Sequence, residues 1–324
     1  MNDPQRYVFN CHGLQIEASG PQDLLKALED RFGEFPTEPS GKSDLQFEFR
    51  LVGSAEEHQV KRPAVPGRPF YQPEVGEATY FPSLDVCYLD YDQRVRVLCH
   101  PVSGHCEISM LEPESEQTWL ASHPLFTLPL LEMLKRRGKF GLHAAGLARE
   151  GRSLLLPGTS GAGKSTLTIA LLRSGFDFLG DDLALLESGE RIEALAFPEQ
   201  IDLTRNTAFF FPELAPLLNG EKRRGWPKYQ LRAHDSYSST VSWRTTPAAI
   251  VFPTLANTGK SVLVPLTSDE AFLELSASVF LTEKHSTQSH LGVLANLTQS
   301  VPVYRLLAGR DFDQTVSILG DLLL

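Results

Sequence analysis

Apolar positions nearly alternate, with a period of two, in "YVFNCHGLQIEA", starting at Tyr7, and again in "DLQFEFRLVG", starting at Asp44. Such alternation predicts half-buried strands. Between them, Leu24, Leu25, Leu28 and Phe32 recur at helical spacing in "GPQDLLKALEDRFG", with Gly33 placed to end the helix. The opening is therefore expected to run strand, helix, strand. "EFPTEPSGKS" and "EEHQVKRPAVPGRPFYQPEVGE" are rich in Pro, Gly and charge and are expected to be surface loops. Alternation returns in "SLDVCYLDYDQRVRVLCH" and "HCEISML", which predict an antiparallel meander turning at Asp92-Gln93 and Ser103-Gly104.

Apolar residues dominate "PLFTLPLLEMLKRR", Pro124 to Arg137, and its basic end suits a helix C-terminus leading into a second domain. Strand and helix patterns then alternate up to a closing helix, Phe312 to Leu324, on which Val316, Leu319 and Leu323 could form an apolar stripe. A mixed α/β protein is expected, with a β-rich N-terminal domain over residues 1–120 and a second domain over 121–324.

Composition narrows the classes. With 324 residues, 42% of them hydrophobic, the chain can bury a sizeable core. Forty acidic against thirty basic residues give a formal charge of -10, which argues against nucleic acid as the main partner. No run of eighteen apolar residues is present and "MNDPQRYVFN" lacks the features of a signal peptide, so a cytoplasmic protein with no membrane partner is expected. Four cysteines, Cys11, Cys87, Cys99 and Cys106, are too few for a disulfide framework and are expected to be reduced.

The sharpest signal is "GTSGAGKS", Gly158 to Ser165, which fits G-x-x-x-x-G-K-[ST]. An apolar strand, Ser153 to Leu156, precedes it, and a helix, Ser165 to Ser174, follows and ends at Gly175. Gly158, Thr159, Ser160, Gly161, Ala162 and Gly163 would turn backbone N–H groups onto phosphate oxygens, with Thr166 continuing the cradle. Lys164 would supply a point charge and Ser165 a hydroxyl for magnesium.

"FDFLGDD" then predicts a second strand. A right-handed crossover would make the two strands parallel, bringing Asp181 and Asp182 to the same edge as the loop. One carboxylate would serve the metal and the other would be free as a base, a division that suits transfer to a hydroxyl. Upstream, "FGLHAAGLAREGRSLLLPG" predicts a hairpin turning near Glu150-Gly151, which sets His143 opposite Gly158. A histidine there could orient an aspartate.

His143 in "LHAAGL", "GTSGAGKS" and "FLGDD", in this order and spacing, resemble the catalytic domain of HPr kinase/phosphorylase, the bacterial enzyme that phosphorylates a serine of the carrier protein HPr. The likeness is clearest from about residue 124 to 187. It continues through "FPEQIDLTRN", "WPKYQLRA" and the stretch from Pro247, which look like HPr-kinase-related proteins, lasso-peptide kinases among them. The resemblance implies a fold of the phosphoenolpyruvate-carboxykinase/HPr-kinase type and an ATP- and magnesium-dependent serine kinase acting on a peptide or small protein. It further implies Asp181 as the catalytic aspartate, assisted by His143, with Ser165 and Asp182 at the metal and Lys164 on the phosphates. No Glu-x-Arg-Gly signature follows the aspartates, so neither phosphorylase activity nor HPr as acceptor is implied. The resemblance leaves room for a homo-oligomer.

Arg205, Lys228 and Arg232 are candidate phosphate or substrate contacts, set against a solvated basic loop. Trp226 and Tyr229 could stack on an adenine or anchor a loop. Cys87, Cys99, His100, His105 and Cys106 invite a zinc reading, but without C-x-x-C spacing a hairpin accounts for them better. Two other classes stay open: a nucleotide-binding regulatory or chaperone module without phosphotransfer, and a carboxykinase-like small-molecule enzyme.

Overall fold

A computed structural model describes residues 5–37, 41–72, 76–111, 122–219, 228–256 and 258–324. Contacts divide the chain into two units. One is built from the chain up to Gly138 together with Phe280–Thr287, and the other from the remainder.

Eight strands form the sheet of the first unit: β1 (Gln5–Cys11), β2 (Leu14–Gly20), β3 (Leu45–Val52), β4 (Arg68–Tyr71), β5 (Glu77–Phe81), β6 (Val86–Tyr91), β7 (Val95–His100) and β8 (His105–Leu111). Their spatial order is β1-β2-β3-β8-β7-β6-β5-β4. The meander turns where the pattern predicts, at Asp92 and Gln93, both with positive φ, and again at Gly104. The alternating stretch from Tyr7, by contrast, is a hairpin. β1 and β2 pair from Gln5↔Gly20 to Cys11↔Leu14 and turn at His12 (φ 51°) and Gly13 (φ 84°), the left-handed backbone of a two-residue hairpin turn. The second Pro-rich stretch is not loop throughout, because it contains β4. Pro69 is tolerated there because β4 is an edge strand.

Helix α1 (Gln22–Phe32) buries Leu24, Leu25, Leu28 and Phe32, as its spacing predicts. Helix α2 (Thr127–Lys135) is shorter than the apolar run from Pro124 suggests. It falls with the first unit rather than the second. Its basic end is buried: Lys135 Nζ donates to Glu132 Oε1 (3.2 Å), to the Phe280 carbonyl (2.6 Å) and to Thr282 Oγ1 (2.9 Å). The four cysteines are free and buried, and among the described residues no cluster could hold a metal through three or more His, Cys, Asp or Glu side chains.

The second unit is organised by a mixed sheet of nine strands: β9 (Lys139–Leu142), β10 (Ala144–Arg149), β11 (Arg152–Pro157), β12 (Asp177–Gly180), β13 (Ala184–Ser188), β14 (Ile192–Leu195), β17 (Arg244–Leu255), β18 (Val262–Pro265) and β19 (Val303–Ala308). A small pair, β15 (Ile201–Leu203) with β16 (Tyr229–Leu231), stands apart. The "LLL" of β11 is buried on both faces. Leu154 and Leu156 share a core with Leu167 and Leu171 of helix α3 (Lys164–Arg173), while Leu155 shares the opposite core with Leu275 and Leu294. Leu275 lies on helix α5 (Ser268–Ser276) and Leu294 on helix α6 (Lys284–Ser300), separated from α3 in sequence by the short helix α4 (Arg205–Phe209). Helices thus cover a central strand from both sides.

The final helix, α7 (Phe312–Gly320), stops short of Leu324 and is followed by a 3-10 turn; Leu319 and Leu323 are buried as expected. Among the described residues no helix is long and apolar enough to cross a membrane.

Two features of this sheet position the loop. β11 and β12 run parallel, as a strand–loop–helix–strand unit requires, but β10 lies between them and is antiparallel to both. The β10–β11 hairpin turns at Glu150 (φ 52°) and Gly151 (φ 76°) and pairs Arg149↔Arg152 through to Ala144↔Pro157. His143 is therefore one step from Ala144, level with Gly158.

Candidate functional site

Six residues separate the end of β11 at Pro157 from the start of α3 at Lys164. Gly161 (φ 84°) and Gly163 (φ 100°) take left-handed backbone in this loop, and Gly163 is the N-cap of α3. No side chain caps that helix end, which leaves its first-turn N–H groups without a side-chain acceptor, an arrangement suited to an anion. At the other end, Gly175 (φ 81°) ends the helix as the sequence predicts.

Lys164 is buried, and among the described residues its ammonium is held by two backbone carbonyls and lies beside an imidazole. Nζ donates to the Gly158 carbonyl (2.5 Å), more loosely to the Thr159 carbonyl (3.4 Å), and lies 3.3 Å from His143 Nε2. Among the described residues no carboxylate is within ion-pair distance of it. Burial lowers its pKa and the like charge of Lys228 lowers it further, while Asp182 and Asp181 act in the opposite direction. A buried cation without a paired anion is suited to receive phosphate oxygens.

The two aspartates have separate surroundings. Asp181 is 4% exposed, and both its oxygens are occupied by α3: Ser165 Oγ donates to Oδ2 (2.7 Å) and Thr168 Oγ1 to Oδ1 (2.7 Å). Burial pushes its pKa up to about 6 against the pull of these two hydrogen bonds, and Asp182 adds to the rise. Asp182, with its side chain half exposed, faces His143 instead, Oδ1 lying 3.5 Å from Nδ1. His143 was expected to hold Asp181; the aspartate that lies beside it is Asp182.

The backbone explains the pairing. Only His143 separates β9 from β10, and only the bend Asp181–Leu183 separates β12 from β13. The pairings Gly146↔Gly180 and Leu142↔Ala184 lie on either side of these two breaks, so the histidine and the aspartates meet at the same level of the sheet. Gly180 makes the bend possible, since a Cβ there would stand 2.2 Å from the Leu183 carbonyl oxygen and 2.9 Å from that of Phe197.

His143 thus bridges a carboxylate and an ammonium. Its Nδ1 faces the carboxylate and its Nε2 the ammonium.

Thr168 was not singled out in the sequence, although its position three residues after Ser165 places it on the same helix face. Thr207 is a further addition. It bonds Thr166 (3.3 Å) and is held by the N-cap Thr204, next to Arg205, which is exposed at the start of α4. Lys228 reaches the site through its charge on Lys164, and Arg232 is partly buried beyond β16. Tyr229 is buried in β16, and Trp226 lies outside the described residues.

No family model matches the chain, and no curated protein matches it. Among solved structures it is similar to the HPr(Ser) kinase/phosphatase from Coxiella burnetii. The match covers 56% of this chain and 90% of that one, at 11% identity and a TM-score of 0.31.

The donor set accords with a nucleotide and magnesium. The uncapped helix end and the unpaired Lys164 suit phosphates, and the adjoining oxygens of Ser165 and Asp181 are the hard ligands magnesium takes, usually with one or two carboxylates beside phosphate and water.

Proposed function

We propose that the second unit transfers the γ-phosphoryl group of ATP to a hydroxyl, expected to be a serine, of a peptide or small protein. The observation that carries this reading is the separation of the two aspartates. One is buried on Ser165 and Thr168, and the other is half exposed beside His143 at the Lys164 end of the loop.

The roles follow from these environments. The N–H groups from Gly158 to Thr166 and Lys164 would hold the β and γ phosphates. Ser165 and Asp181 would hold magnesium, which would supply positive charge to offset that of the phosphates. Asp182, oriented by His143, would accept the hydroxyl proton as the acceptor oxygen bonds to the γ phosphorus and the bond to the β-phosphate oxygen breaks, leaving ADP. Asp181 and Asp182 thereby exchange the roles that the family resemblance implies. Asp181 is too enclosed by α3 to meet an incoming hydroxyl, and Asp182 is not. Lys228 would add charge to the phosphate end, with Arg205 and Arg232 as further candidate contacts.

The test is transfer from labelled ATP to serine peptides in magnesium. Asp182→Asn should abolish phosphoserine while retaining magnesium-dependent ATP binding, and Asp181→Asn should lose the magnesium dependence of that binding. Full transfer by Asp182→Asn would remove it from the base role. ATP binding without transfer to any hydroxyl, in the unaltered protein, would favour a regulatory module.

A further inference from the structure

The second unit holds a cavity of about 660 Å3 on the flank of the phosphate loop. Gly158 to Ala162 form one side, and His143 also lines it. The remaining wall comes from the end of β17, with Pro253 and the largely exposed Leu255, and from Glu274 on α5 facing Arg305 on β19.

We infer that this cavity receives the acceptor, and that the acceptor is a short unfolded peptide segment carrying the serine. The inference rests on the phosphoryl-transfer reading and adds the place and class of the second substrate. Its orientation comes from His143, which lines the cavity while touching both Lys164 and Asp182. A hydroxyl entering along this wall arrives where the terminal phosphate and the base would be.

The class comes from size and chemistry. The volume is that of a pocket for a small ligand, enough for a few residues and far from the flat area a folded partner covers. Arg305 and Glu274 form an ion pair, with both side chains partly exposed. Side by side, a guanidinium donor and a carboxylate acceptor match the alternating carbonyl and N–H groups of an extended peptide, without selecting for its net charge. Leu255 and Pro253 offer an apolar wall to a neighbouring side chain.

The experiment uses the full chain and a library of synthetic heptapeptides with serine at the centre and the flanking positions randomised. Binding of the library in the presence of magnesium and a non-hydrolysable ATP analogue is read first, and phosphoserine formation from ATP second. The unaltered protein should enrich peptides with an apolar residue beside the serine. Arg305→Ala and Glu274→Gln should weaken peptide binding, and raise the peptide KM, by at least about tenfold, the loss of a charge-assisted hydrogen bond. The ATP KM should not move. Leu255→Asp should remove the apolar preference.

Unchanged peptide binding in Arg305→Ala and Glu274→Gln would overturn the assignment. So would a rise in the ATP KM instead, which would mark the cavity as a nucleoside pocket. Peptide binding that is lost in these variants, with no phosphoserine formed by the unaltered protein, would uphold the cavity and refute the transfer reading.

Discussion

Replacing Asp181 with asparagine should make the second unit more stable at neutral pH while disabling the site. The carboxyl is 4% exposed and its pKa in the folded chain is about 6, against an ordinary value of 3.8. The folded state therefore holds this proton more tightly than the unfolded state does. Stability falls as pH rises between these values, and the penalty is complete above about pH 6. The gap corresponds to about 3 kcal/mol. Below about pH 4 the carboxyl is protonated in both states and the penalty disappears. An asparagine amide has the shape of the carboxyl and carries no charge. Its oxygen can accept from one of Ser165 and Thr168, and its N–H can donate to the other. The variant should thus gain up to about 3 kcal/mol at pH 7, with the gain shrinking towards zero near pH 4. Urea unfolding between pH 4 and 8, followed by hydrogen exchange of the Lys164–Arg173 amides, measures the difference in the unit concerned. A variant no more stable than the parent at pH 7, or a gain that does not vary with pH, would refute the account of Asp181 as a buried charge retained at the expense of stability.

Thr168→Val should weaken magnesium-dependent nucleotide binding by about tenfold, because one of the two donors to Asp181 is lost, and Thr168→Ser should restore it; calorimetric titration with and without magnesium separates the two. His143→Ala should reduce phosphoserine formation by about a hundredfold or more while leaving ATP affinity near its original value, as measured by single-turnover transfer beside equilibrium binding. Gly180→Ala should destabilise the second unit by about 2 kcal/mol or more, since the new methyl meets two backbone carbonyls that cannot move without shifting β12 and its neighbours; a thermal midpoint equal to the parent's would show that the bend has slack.

The Gly158–Gly163 loop and its flanking elements were legible because each needs particular residues: glycines for positive φ, an apolar strand buried on both faces, and a glycine after the helix. The β10–β11 register was legible for a similar reason, as Glu150-Gly151 is a two-residue hairpin turn that fixes every pair above it. The hairpin at His12–Gly13 carries the same kind of signal, marked by the apolar positions changing parity from Tyr7, Phe9 and Cys11 to Leu14, Ile16 and Ala18, a shift that the overall alternation of the stretch conceals. The partner of His143 was not legible. β12 ends at Gly180 and the aspartates lie in a bend, where the two-residue alternation of a strand no longer tells which side chain faces which way. The pairings of β9 with β13 and of β10 with β12, strands distant in sequence, bring Asp182 to His143.

The hairpin that carries His143 has a further consequence for how this site can vary. Strand pairing is discrete: a slip of one residue turns every side chain to the other face, so register moves in whole steps. His143 and the start of the loop hang from the open end of the same ladder, closed at Glu150-Gly151. The hairpin therefore works as a ruler with a fixed graduation. Length added beyond the Gly175 end of α3 should leave it undisturbed, whereas a single residue inserted into the two-residue turn should reset the distance between the imidazole and Gly158. Tolerance to insertion should be strongly asymmetric along this short stretch of chain.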